Sequence, residues 1–293
     1  MAMYKRPNID RESAKRYNDS HAKCIPFEEN IVENTIKFQK KAGIPVDGKW
    51  GPQTLAHWRQ ENFRNQCPPV DEHKIAHLIS DFEGNFWSMN RDGEYRGLFG
   101  EEHPAYQTQH LGLSFGFLQF NQNAGSLGEL LKRMQETDPQ TFKEIFKFPD
   151  ELIEVTNRTK GRVQHERTRR VQPVAGADLW EEPWVSRFRQ AGHHTPFQDV
   201  QLSYALDEYM DPAKETALDL GMTSERAHAI IFDRSIQHGP TGARNLFDQV
   251  HEDQPEHLFL YDCLQAWEGE SWAHRPKNLF FHPQLKDGVK NEA

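Results

Sequence analysis

Glu83 closes an apolar run in which Ile75, Leu78, Ile79 and Phe82 recur at intervals of three and four, the spacing that turns one face of a helix into a core. A carboxyl group at the exit of such a helix sits partly desolvated at the negative end of the helix dipole, and both effects favour its protonated form. A few residues on, Asn90-Arg91-Asp92-Gly93-Glu94 carries a turn signature that would fold a hairpin back over the helix end, with Asp92 and Glu94 on either side of a glycine. A carboxyl that keeps its proton, facing one that loses it, is the pair that hydrolysis of a glycosidic bond requires. The apolar stretch LSFGFLQF, Leu113 to Phe120, follows. Its Gly116 suits a place where the backbone passes close to a ligand or another element, and Gln119 is conspicuous among apolar neighbours.

Other residues fit around such a cleft. Gln119 and Asn121 would line its floor and bond sugar hydroxyl or acetamido groups, while Trp87, Tyr95 and Tyr106 offer rings for stacking on pyranose faces. Metal and triad chemistry find little support. Asp233-Arg234 followed by His238-Gly239 reads as an ion pair and a helix terminus, His193-His194 has no partner at ligand spacing, and no HExxH string occurs. No cofactor is expected.

The elements that must position these residues are mostly helices. Gly125 to Met134 has Leu127, Leu130, Leu131 and Met134 on one face with Ser126 as a candidate cap, and Asp138 to Phe148 adds a second helix. Phe197 to Met210 is helical, Asp211-Pro212 restarts a helix that Gly221 stops, and Ser224 to His238 carries Ala227, Ile230, Ile231 and Ile236 on one side. No long alternating strand pattern competes. The expectation is a mainly α domain over residues 73–283 with a small β-hairpin or sheet between Trp87 and Phe120, a basic loop from Arg158 to Ala177, and a polar tail that frays beyond Pro283.

A separate small domain is expected upstream, over residues 24–67. Its string IKFQKKAGIPVDGKWGPQTLAHW, Ile36 to Trp58, resembles the three-helix peptidoglycan-binding module of cell-wall hydrolases. Each conspicuous residue has a local use: Gly43 and Gly48 for positive φ, Asp47-Gly48 for a turn, Pro52 for a first helical turn, and Gln53 or Thr54 for early backbone donors. Trp50 has two readings, a core anchor of a very small domain or a sugar-stacking surface residue in the substrate-binding set. Asn65 to Glu72, with Cys67-Pro68-Pro69, reads as a stiff linker. Cys24 and Cys67 bracket the module, either as a disulfide or as reduced thiols, and Cys263 stays unpaired in both cases.

The stretch from Ile79 to Asn123 resembles the lysozyme-like superfamily, whose members share a helix ending in the acid Glu, a hairpin or loop with a second acidic residue, and a glycine-containing strand running into the next helix. From Phe197 to Pro240, the order Gln201, Tyr209, Asp211-Pro212-Ala213, Gly221, Asp233 and Gln237-His238-Gly239 looks most like the chitosanases. The resemblance implies an α+β lysozyme-like fold and Glu83 as the general acid. It leaves the base open: Asp92 has the phage-lysozyme spacing, Glu101 or Glu102 has the place a chitosanase-like arrangement implies, and Glu94 is a further candidate. It also implies that Ser114, or else Thr108, holds the attacking water, and that the reaction inverts the anomeric centre.

The expected function is therefore a muramidase acting on peptidoglycan, with a chitosanase-like hydrolase, a lytic transglycosylase or a non-catalytic wall-binding protein as alternatives. A net charge of −9 and a pI near 5.9 argue against a general nucleic-acid binder. No run approaches the roughly 20 apolar residues of a membrane span, and the first residues lack the apolar core of a secretory signal. A monomer is expected, acting in the periplasm or cell wall after export or delivery by another machine. That fits a bacteriolytic endolysin or a secreted effector, the latter with an immunity protein as partner.

Overall fold

The structure is a computed structural model that describes residues 9–64, 70–92, 112–122, 125–159, 174–250, 254–287 and 289–290. It is mainly helical with small antiparallel sheets, as the periodicity predicts. The chain forms two compact units, Ala76–Glu208 and a discontinuous one made of Met1–Ile75 with Tyr209–Ala293.

The discontinuous unit begins with α1 (Arg11–Ser20), α2 (Ile31–Ala42), α3 (Pro52–Asn62) and β1 (Phe63–Arg64), and the first residues of α4 (Glu72–Glu83) belong to it. The module-like string folds around Gln39, whose buried side chain accepts from the Asp47 and Gly48 amides and donates to Asp47 Oδ1, Lys49 O and Thr54 Oγ1 at 2.8–3.0 Å. Those bonds satisfy a turn that has no regular ladder of its own. Gly48 takes φ 75° there, and a Cβ would press on Val32 and Ala14 at 3.1 and 3.3 Å. Trp50 is wholly buried with Phe27, Phe38 and Trp58 rings around it. A ring with no exposed face cannot stack on a sugar, so the substrate-binding reading of Trp50 gives way to the core anchor. Helix α1, upstream of the expected boundary, belongs to the same packing: buried Asn18 donates to Gly48 O and accepts from the Trp50 amide.

After the residues of the second unit, this unit resumes with α10 (Asp211–Asp219), α11 (Glu225–Phe247), α12 (Glu256–Ala266), α13 (His274–Phe281) and β5 (Val289–Lys290). Ser224 caps α11 through the Ala227 amide, and Gly239 at φ 70° breaks it ahead of Pro240. Asp233 is fully buried between the guanidinium groups of Arg234 and Arg275, the ion pair expected of it, and Arg234 also lies over the Trp272 ring. The tail does not fray at Pro283. Leu285 is buried, Asp287 pairs with Arg59 and Arg226, and β5 pairs antiparallel with β1. Arg226 donates to the carbonyls of Leu279, Phe280, His282 and Leu285, so one guanidinium serves orphan acceptors at the end of α13. Cys24 is a free thiol whose Sγ lies 2.6 Å from Phe281 O, and Cys67 lies outside the described residues.

The second unit runs from within α4 through a three-stranded sheet to α5 (Ser126–Thr137), α6 (Pro139–Phe146), α7 (Pro149–Thr159), α8 (Trp184–Gly192) and α9 (Thr195–Ala205), which passes into a π-helical turn at Leu206–Met210. Helix α5 packs on α6, α7 and α9, and its core face is the one its periodicity marked, Leu127, Leu130, Leu131 and Met134. Ser126 is not its cap. Gly125 holds that position at φ 85°, and Ser126 Oγ accepts from the Asn121 amide. Asp138 caps α6 through the Thr141 amide and also meets His194; these bonds hold its carboxyl below the ordinary carboxylate range.

Candidate active site

Glu83 is the last residue of α4, and Gly84 follows at φ 147°. A side chain at Gly84 would strike Ser88 Oγ at 2.6 Å, so the chain leaves the helix through a turn only glycine fits. That turn is closed locally: the Asn85 amide donates to Ser88 Oγ at 2.7 Å and the Ser88 amide to Asn85 O. The chain then enters β2 (Met89–Asp92). Of the turn expected at Asn90 to Glu94, Asn90 to Asp92 are extended instead, because residues 89–92 pair with β3 (Gly112–Phe115); Gly93 and Glu94 lie outside the described residues.

The sheet has the order β2-β3-β4, with β4 at Phe120–Asn121. Asp92 ends β2 opposite Gly112, and Asn90 stands opposite Ser114, which in turn faces Asn121. Residues directly opposite one another share a face of a sheet, so Asn90, Ser114 and Asn121 form one polar row. Ser114 lies on the central strand and is 1% exposed, and its Oγ accepts from Asn121 Nδ2 at 3.0 Å.

The turn between β3 and β4 holds Gly116 at φ 84° and Gln119 at φ 55°. Gln119 accepts from Asn90 Nδ2 and donates to Gly116 O, both at 2.8 Å. Its half-buried carboxamide thus knits the turn to β2 and still borders solvent. Trp87 is 38% exposed and stacks on His193, with centroids 4.3 Å apart and planes 23° apart. Gly192 makes this approach feasible, since a Cβ there would come within 2.5 Å of Trp87 Cα. His193, set aside in the sequence as a metal ligand, is the backing of an aromatic shelf. Among the described residues no group of His, Cys, Asp or Glu could hold a metal ion.

The structure thus brings the backbones of Glu83 and Asp92 into one unit with Ser114, Gln119, Asn121 and Trp87. Glu101, Tyr95 and Tyr106, with the alternatives Glu94, Glu102 and Thr108, lie outside the described residues. Two participants escaped sequence reasoning. Asn90 was read as a turn residue, and Gln201 of α9 was noted only as part of a family pattern, although a buried glutamine on an apolar helix face is itself a signal.

Among solved structures, the chain is similar to a native chitosanase from Bacillus subtilis MY002, at 16% identity and a TM-score of 0.47 over 73% of this chain and 84% of that chain. It is also similar to a GH46 chitosanase from Gynuella sunshinyii in complex with chitotetraose, at 16% identity and a TM-score of 0.48 over the same shares. No family model matches the chain, and no curated protein matches it. Identity at this level is silent on activity.

Proposed function

We propose that this protein is a glycoside hydrolase of lysozyme-like fold that cleaves the glycan strand of peptidoglycan by single displacement. Glu83 protonates the glycosidic oxygen and a second carboxylate, Asp92 first among the candidates, activates water on the opposite face of the ring. The observation that carries this reading is the antiparallel sheet that begins six residues after Glu83, with Asp92 at the end of its first strand and the polar row Asn90, Ser114 and Asn121 across it. In this reading Trp87 offers a sugar-stacking face, Gln119 and Asn121 bond sugar substituents, and Ser114 orders the attacking water through its hydroxyl. The string from Ile36 to Trp58 favours a wall polymer as substrate, with residues 24–67 as the wall-binding module and 73–283 as the catalytic domain; action then belongs in the cell wall or periplasm. The chitosanase resemblance of Phe197 to Pro240 favours chitosan as the second substrate to try.

Product analysis of both polymers tests the proposal. Wild type should release reducing ends from peptidoglycan, initially with inverted anomeric configuration, and Glu83→Gln should lower kcat by roughly 10²–10⁴-fold, the usual contribution of a general acid. Asp92→Asn should lose a similar factor if Asp92 is the base. Cleavage of chitosan alone would move the substrate, anhydro-muramic products would make the enzyme a transglycosylase, and an unaffected Glu83→Gln would remove Glu83 from the chemistry.

A further inference from the structure

Helix α9 contributes one buried side chain whose bonds all leave its own helix. Gln201 is 0% exposed. Its Nε2 donates to Phe86 O at 3.0 Å, and its Oε1 accepts from the Phe117 amide at 3.2 Å. Phe86 lies three residues after Glu83, and Phe117 lies in the turn between β3 and β4. The two residues also touch through their rings, with centroids 5.0 Å apart.

We propose that Gln201 is a positioning residue whose carboxamide clamps the segment leaving Glu83 to the glycine turn of the sheet, and so fixes where the helix-end carboxyl stands relative to the polar row. This rests on the reading of Glu83 as the acid. The surroundings are shaped to the clamp: a Cβ at Gly116 would fall 2.1 Å from Gln201 Oε1, so only glycine lets the carboxamide reach the Phe117 amide. A second tie runs in parallel, from the Gly116 amide to Ser88 O at 2.8 Å. The loop after Glu83 is thereby held at Phe86 by Gln201 and at Ser88 by the turn itself. A glutamine spanning two irregular segments satisfies two backbone groups that no ladder serves, and misplacing a catalytic group by about 1 Å can cost on the order of 10²-fold in rate.

The test compares the full chain as wild type, Gln201→Met, Gln201→Glu and the control Val155→Ala, a core cavity in α7. For each, kcat, KM, Tm and hydrogen exchange at the Phe117 amide are measured. In Gln201→Met, which keeps the reach and loses both bonds, kcat should fall roughly ten- to hundred-fold with KM within about two-fold, and the Phe117 amide should lose protection while amides of α5 keep theirs. Gln201→Glu keeps the acceptor for Phe117 but sets a carboxylate against Phe86 O; protection at Phe117 should return and kcat should stay low. Val155→Ala should lower Tm and leave kcat unchanged. Wild-type kcat in Gln201→Met, or a loss no greater than that of Val155→Ala, overturns the proposal. If wild type cleaves neither peptidoglycan nor chitosan, the hydrolase reading fails and the catalytic consequence with it; the exchange measurement then decides the clamp alone, and unchanged Phe117 protection in Gln201→Met overturns it.

Discussion

Gly116 carries two demands at once, a left-handed φ of 84° and a carboxamide oxygen where a Cβ would sit. Gly116→Ala should therefore destabilise the protein by about 2 kcal/mol or more, from backbone strain plus displacement of Gln201; a Tm unchanged in calorimetry would show that the turn relaxes freely. The exposed Gly221, also at positive φ but with open space around it, should cost only about 1 kcal/mol on the same change. At this scale the sequence was legible where one residue type has one use. Glu83 at a helix end and Gly116 at a close approach could be read from spacing and from the missing side chain. Ser114, Asn90 and Asn121 could not be read as a row, because their meeting depends on strand register, which is set by pairing rather than by local pattern. Trp50 shows the limit of side-chain chemistry: the same indole serves a core or a sugar, and only burial separates them.

Among elements, α1 was missed for a physical reason. Its sequence RESAKRYNDS buries only Ala14 and Asn18, so it docks through a small residue and an amide rather than an apolar stripe. Asn18 bonds the Gly48 carbonyl and the Trp50 amide in a buried place, and Asn18→Leu would leave both groups unsatisfied. The cost should be about 2–4 kcal/mol, seen as earlier urea unfolding of the full chain, with Ala14→Ser, which strands no partner, as the milder comparison. Strand β2 falls within the hairpin or sheet expected between Trp87 and Phe120, but Asn90-Arg91-Asp92, good turn chemistry by residue type, is extended because its bonds to β3 override that local preference. Helix α5 was legible because its apolar face follows the helical period and is buried where that period places it, whereas α11 is buried on every side from Glu225 to Ser235 and Ile236 of its marked face is only half-buried.

For the molecule as a whole, acid stability should turn on the cluster that anchors the tail. Burial pulls His257 down to about 4, with Arg59 and Arg226 adding to that and Asp287 opposing it. The folded protein therefore refuses a proton that the unfolded chain accepts from about pH 6.5 downward, so the stability associated with neutral His257 is present above that value and is lost as pH falls through about 4. One proton over this window amounts to roughly 3 kcal/mol. Burial also raises the carboxyl of Asp287, but Arg226 and Arg59 outweigh it and hold it below its ordinary value, which adds a further loss at lower pH as that carboxylate is protonated. Urea midpoints at pH 7 and pH 4.5 should differ in wild type, and His257→Leu should remove most of that difference; an equal difference in the variant would place the acid sensitivity elsewhere.

The same anchoring bears on how the chain is made. Arg59 Nη1 donates to Phe280 O, 221 residues away, and Cys24 Sγ meets Phe281 O across 257 residues. On a ribosome, the opening helices must wait for nearly the whole chain before these partners emerge, whereas residues 76–208 form a continuous unit that has all of its own sequence in hand much earlier. Nascent chains stalled before Glu256 should thus hold a protease-resistant middle and leave their first helices open to cleavage.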